Sequence, residues 1–87
     1  MEIRKVAVVG AGTMGASIAV ALAGSGYEVV LKDVDQGALQ LGLQRVDRML
    51  QSLVKRGLSM VEADSRKKLI RTALSYKEIA DAGLAIE

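Results

Sequence analysis

Apolar side chains lie in short unbroken runs in the first third of the chain and at stepped intervals beyond it. Val6, Ala7, Val8 and Val9 follow one another without a polar break and stop at Gly10. Continuity rather than alternation marks a parallel strand covered on both faces, so residues 3–9 are expected as a buried strand. Residues 10–15 read as a tight turn. Residues 13–23 read as a helix, with Ile18, Ala19, Leu22 and Ala23 at helical spacing. Gly24-Ser25-Gly26 stops it, because glycine takes the left-handed conformation that helix ends favour. Residues 28–32, centred on Val29-Val30-Leu31, form a second buried strand that closes on Asp33. Two apolar strands joined by one helix predict a right-handed parallel crossover.

Farther on, Leu39, Leu43, Val46, Leu50 and Leu53 fall in alternating steps of four and three. That spacing predicts a helix over residues 36–56 with one apolar stripe, ended by Gly57. Ser59 with Glu62 has the spacing of a capping box, opening a further helix to about residue 71. Ser75 and Glu78 repeat the signature before a helical turn over 76–81, and a brief strand around Ala73 and Leu74 separates the two. Leu84-Ala85-Ile86 begins another strand. Strands alternating with helices predict an α/β fold with a parallel sheet.

The first turn carries chemistry. Gly10-Ala11-Gly12-Thr13-Met14-Gly15 is a G-x-G-x-x-G placed after a strand and opening a helix, and Asp33 ends the next strand about 20 residues beyond Gly12. Gly10 permits the turn, a side chain at Gly12 would keep the backbone from a diphosphate, and Gly15 lets helix and strand approach. Free N–H groups and the positive dipole end of the helix then receive the anion. Asp33 can accept from ribose hydroxyls and would repel a 2′-phosphate, which favours NAD over NADP. Lys32 softens that repulsion, and Asp35 adds a second negative charge.

Composition narrows the field. At 87 residues the chain suits one small domain or part of one, and with no cysteine and no histidine it has neither a disulfide nor a zinc site to staple it. A net charge of +2 and two tyrosines give no footing for nucleic acid. The uncharged stretch from Val6 to Tyr27 also admits a secretory signal or a membrane span, but its five glycines interrupt the hydrophobicity that either would need. Lys55, Arg56, Arg66, Lys67, Lys68 and Arg71 form the basic concentration of the chain. They read as a solvated helical face or, more sharply, as a phosphate-binding patch for a large anionic substrate.

With those residues in view, nearly the whole chain resembles the start of the L-3-hydroxyacyl-CoA dehydrogenase family, which includes the 3-hydroxybutyryl-CoA dehydrogenases. Val6 to Gly15 looks like that family's opening, with the T-M-G inside the turn more specific than the glycines alone. Gly26 to Asp33 resembles its second strand, with Tyr27 where many members carry histidine. Lys55-Arg56-Gly57 is similar to its lysine-glycine step, and Asp81 to Glu87 resembles D-A-D-L-V-I-E with Gly83 and Ala85 as replacements. The resemblance implies an α/β Rossmann-type parallel sheet with helices on both faces, of which residues 1–87 hold the first half. The second half and a C-terminal helical domain lie outside the chain.

The resemblance further implies oxidation of an L-3-hydroxyacyl-CoA to the 3-ketoacyl-CoA, with hydride passing to NAD. It places the long helix and its following turn near CoA, making Met49, Lys55 and Arg56 candidate contacts, Met49 standing where many members have serine. The family's catalytic histidine, and the glutamate, serine and asparagine around it, have no counterpart here, so no catalytic residue is assigned and the chain alone is expected to be inactive. The parent is expected to be a cytoplasmic homodimer using an acyl-CoA substrate, with no nucleic-acid or membrane partner. An unfinished sheet edge should make the 87-residue piece prone to self-association. Competing readings are another two-domain hydroxyacid dehydrogenase, a non-catalytic NAD-binding module, and an oligomerisation element built on the leucine stripe.

Overall fold

A computed structural model describes residues 4–10, 12–75, 77 and 83–86, the last three by backbone alone. The apolar run after Arg4 forms strand β1 (Lys5–Val9), with Val6, Ala7 and Val8 buried. Helix α1 (Thr13–Gly24) follows, and strand β2 (Glu28–Lys32) pairs parallel to β1 with Val9 opposite Lys32. Helix α2 (Gln36–Lys55), helix α3 (Met60–Lys68) and strand β3 (Ile70–Ala73) complete a longer crossover. Strand β4 (Leu84–Ile86) lies parallel to β1 on its other side. The sheet runs in the order β3-β2-β1-β4.

Alternate residues of the strands feed two different cores. Val6, Val8, Val29 and Leu31 join Ala16, Ala19 and Val20 of α1 and Leu39, Val46 and Leu50 of α2 in the larger cluster. Ala7, Val30 and Ala73 form the smaller one on the opposite face. All three described helices therefore pack on one face, as expected for the first half of a Rossmann-type sheet whose two faces are covered by different halves. The order β3-β2-β1-β4 explains this: the crossovers of one βαβαβ half lie on the same side of a doubly wound sheet, and the other face belongs to the second half.

Small residues let α1 approach closely, since Gly15, Ala16, Ala19 and Ala23 are its buried positions alongside Val20. On α2, Leu39, Val46 and Leu50 are buried while Leu43 and Leu53 are partly so. The helix ends where Gly57 takes φ +118°, with the Gly57 N–H donating to Val54 O at 3.1 Å and the Leu58 N–H to Leu53 O at 2.9 Å. This Schellman pattern satisfies two of the orphan carbonyls of the last turn. Helix α1 ends the same way, with Gly26 and Tyr27 donating to Ala23 O and Leu22 O, so its helical residues run through Gly24.

Two expectations need correction in the second crossover. The helix expected to reach residue 71 stops at Lys68, and the strand expected near Ala73 and Leu74 is Ile70–Ala73, ending before Leu74. Pairing with β2 decides the matter. The Val29 N–H donates to Leu69 O at 2.8 Å and Ile70 aligns with Val29, so sheet bonds replace the helical ones the Arg and Lys residues would otherwise support. Only half of the capping box forms. Ser59 Oγ accepts from the Glu62 N–H at 3.0 Å, but the Glu62 carboxylate faces Arg66 Nε at 3.8 Å instead of returning to the Ser59 backbone. The helical turn expected over 76–81, with its Glu78, lies outside the described residues except for Lys77.

Candidate functional site

The C-terminal ends of β1 and β2 bring the glycine turn and Asp33 side by side. The Gly10 N–H donates to Lys32 O at 2.7 Å, continuing the β1–β2 ladder into the turn. Gly10 then bends at φ +95°, where a side chain would be strained. The strand order reverses between β1 and β4, and in open parallel sheets the ligand crevice lies outside the strand ends at that reversal.

The remaining turn glycines have separate duties. A Cβ on Gly15 would stand 2.0 Å from Gly10 O and 3.6 Å from Val8 Cγ1, so its missing side chain is what lets α1 sit on β1. A Cβ on Gly12 would meet nothing within 4 Å. Gly12 has φ −70°, so neither crowding within the chain nor backbone strain calls for glycine there, and the space beside it is open to a ligand. Gly12 is also the N-cap of α1, with no side-chain cap and no acidic residue in the first turn. The helix therefore presents bare N–H groups and its positive end to that open space. Thr13 and Met14 are exposed on the rim, and Ala11 lies outside the described residues.

Asp33 is half-buried, and its Oδ1 accepts from the Val34 N–H at 2.7 Å and the Asp35 N–H at 3.3 Å. Those bonds fix the carboxylate at the end of β2. Asp35, read from the sequence as an extra charge near the cofactor, is the N-cap of α2, its Oδ1 accepting from the Gly37 N–H at 3.0 Å. The signal for that duty was present, since an aspartate directly before a stepped apolar pattern is a helix-start signature. Lys32 is buried with only 2% of its surface exposed.

The basic concentration does not survive as one patch. Lys67 Nζ pairs with Asp47 Oδ1 at 2.6 Å, and Lys68 Nζ with Asp64 Oδ2 at 3.3 Å. Lys55 lines an apolar groove between α2 and α3 with Leu50, Val54 and Met60. Met49 and Arg56 meet elsewhere, in a cleft of about 380 Å³ between α1 and α2 that Arg66 of α3 also enters. The structure thus unites two of the three candidate CoA contacts, sets Lys55 apart, and adds Arg66, which the sequence placed in the basic run without singling it out. No described helix is long and apolar enough to cross a membrane.

Residues 5–87 match the family described as 3-hydroxyacyl-CoA dehydrogenase, NAD binding domain. The glyoxysomal fatty acid beta-oxidation multifunctional protein MFP-a of Cucumis sativus is 42% identical over 87 residues, which is 99% of this chain and 12% of that protein. The 3-hydroxybutyryl-CoA dehydrogenase of Escherichia coli superposes with a TM-score of 0.91 at 32% identity, covering 98% of this chain and 18% of that one. The (S)-3-hydroxybutyryl-CoA dehydrogenase PaaH1 of Ralstonia eutropha gives 0.91 at 35% identity, covering 97% and 30% respectively. The chain therefore spans about an eighth of the multifunctional relative and under a third of either dehydrogenase.

Proposed function

This chain belongs to the NAD-binding domain family of 3-hydroxyacyl-CoA dehydrogenases, and we propose that it forms the first half of the cofactor fold in an enzyme interconverting an L-3-hydroxyacyl-CoA and its 3-ketoacyl-CoA. The observation that carries the reading is the open space at Gly12 before an uncapped helix N-terminus, with Asp33 held on the adjoining strand end. The residues fit the group. Gly10, Gly12, Thr13 and Met14, with their sequence neighbour Ala11, would hold the diphosphate of NAD, Gly15 sets the helix at the right depth, and Asp33 would accept from the adenosine ribose. When bound, NAD supplies the hydride acceptor. The chain's own contribution is to bind and orient the adenosine and diphosphate half. The second half of the sheet, the proton-transfer residues and the helical domain of the whole enzyme lie outside residues 1–87.

Titration of the chain with NAD and NADP by calorimetry, for wild type and Asp33→Ala, tests this assignment. Removing a carboxylate that accepts from ribose costs NAD affinity about tenfold or more, the scale of a hydrogen bond to a charged group. NADP affinity falls by less, because the same change removes a repulsion. Equal losses for both cofactors would remove Asp33 from the site.

A further inference from the structure

Met14, Met49 and Met60 place their sulfurs in three different surroundings. Met49 is partly buried against the larger core. Met14 and Met60 are both 77% exposed, so a small solute reaches either one equally well. Their positions differ. Met60 opens α3 and lines the groove between α2 and α3, which no residue of the glycine turn lines. Met14 is the second residue of α1, after the uncapped Gly12 and Thr13. The hydrogen-bond ladder of α1 begins with the Ala16 N–H donating to Gly12 O at 2.9 Å. The N–H groups of Thr13, Met14 and Gly15 precede that bond, at the helix end beside the open space at Gly12.

A thioether is a soft nucleophile, and an exposed one is open to attack on peroxide. We propose that Met14 is an oxidation site through which hydrogen peroxide weakens the turn's hold on a dinucleotide, an inference that rests on the NAD reading above. In the reaction the Met14 sulfur attacks one peroxide oxygen, and the S–O bond forms as the O–O bond breaks. The second oxygen takes the proton of the transferred one and leaves as water. Sulfur gives up two electrons, and the peroxide accepts them. The product exchanges a flexible apolar side chain for a polar one with a strongly dipolar S–O group. That oxygen is a hydrogen-bond acceptor carried at the positive end of α1, within a side chain's length of the donors the diphosphate needs. It competes for those N–H groups and repels phosphoryl oxygens. The same change at Met60 puts its dipole in a groove that holds no part of the dinucleotide site. Because the Met14 side chain is exposed, the cost falls on binding and not on folding. A bound dinucleotide covers the sulfur in turn and slows its oxidation.

Calorimetric NAD titration of the 87-residue chain before and after graded hydrogen peroxide treatment tests this. Peptide mass spectrometry reports sulfoxide at each methionine, and circular dichroism reports folding. NAD affinity of the wild-type chain should fall by about tenfold, the scale of one lost hydrogen bond to a charged group, in step with sulfoxide at Met14. Without NAD the Met14 and Met60 sulfurs should oxidise at similar rates, and saturating NAD should protect Met14 alone. A Met14→Leu chain, which keeps the bulk and lacks the sulfur, should hold its own untreated affinity through the same treatment. A Met60→Leu chain should lose affinity as the wild type does. Unchanged NAD affinity in a folded chain fully oxidised at Met14 overturns the proposal, as does an equal loss in treated Met14→Leu. An untreated chain that binds no NAD removes the dinucleotide reading and this inference with it, whereas binding that survives oxidation of Met14 removes the inference alone.

Discussion

Gly15→Ala is the substitution for which the structure sets the clearest expectation. The added methyl would stand 2.0 Å from Gly10 O, where real Cβ atoms stay beyond 3.0 Å. The neighbour is backbone, so no side chain can swing aside and α1 must move off the turn by about 1 Å, against a core of Ala16, Ala19 and Val20 packed on Val6 and Val8. Overpacking of this kind costs about 3 kcal/mol, the upper part of the usual range, and the better helix propensity of alanine returns about 1 kcal/mol. The net loss of about 2 kcal/mol is large against the roughly 4–13 kcal/mol expected for a domain of this size. It should lower the melting temperature by about 8–16 °C, read by circular dichroism on the purified chain. NAD affinity should fall with it, since the turn that holds the diphosphate has been displaced. A melting temperature within about 2 °C of wild type would refute the steric reasoning, because no relaxation consistent with that packing is so cheap.

Gly12→Ala should behave in the opposite sense. Its methyl meets nothing in the free chain, so stability should drop by no more than the ~1 kcal/mol separating alanine from glycine at an N-cap, while calorimetric NAD affinity falls by about tenfold or more as the methyl fills the diphosphate space. Loss of stability with NAD affinity intact would assign Gly12 to folding instead of binding. Ser59→Ala removes the cap on α3, whose Oγ accepts from the Glu62 N–H, and should cost about 1 kcal/mol in urea denaturation. An unchanged midpoint would mean that β3 pairing, not the cap, holds α3 in place.

The parts of the fold legible in the sequence are those decided by neighbours along the chain. Continuous apolar runs gave β1 and β2, a stepped stripe gave α2, and Gly57 marked its end because a left-handed residue is needed one position past the cap. The boundary between α3 and β3 was misplaced because Leu69, Ile70 and Arg71 are acceptable in a helix. Their state is set by a partner strand some forty residues earlier, through the Val29 N–H and Leu69 O. The confinement of the described helices to one face is likewise a matter of strand order rather than local pattern.

The same division runs through the candidate site. A G-x-G-x-x-G states its geometry in six consecutive residues, so the roles of Gly10, Gly12 and Gly15 could be separated in advance, and the structure then distinguished packing at Gly15 from open space at Gly12. The basic residues carry no such internal rule. Lys67 and Lys68 look equivalent to Arg66 in sequence, yet they point to Asp47 and Asp64, while one step around the helix Arg66 lies over the end of α1 with Glu62 as its ion-pair neighbour. On a helix, adjacent residues face in directions about 100° apart, so a run of cations is distributed among different surroundings and only the tertiary fold decides which of them meet. A dinucleotide turn can be read as a word, whereas the surroundings of Arg66 exist only once α3 has been set across the end of α1.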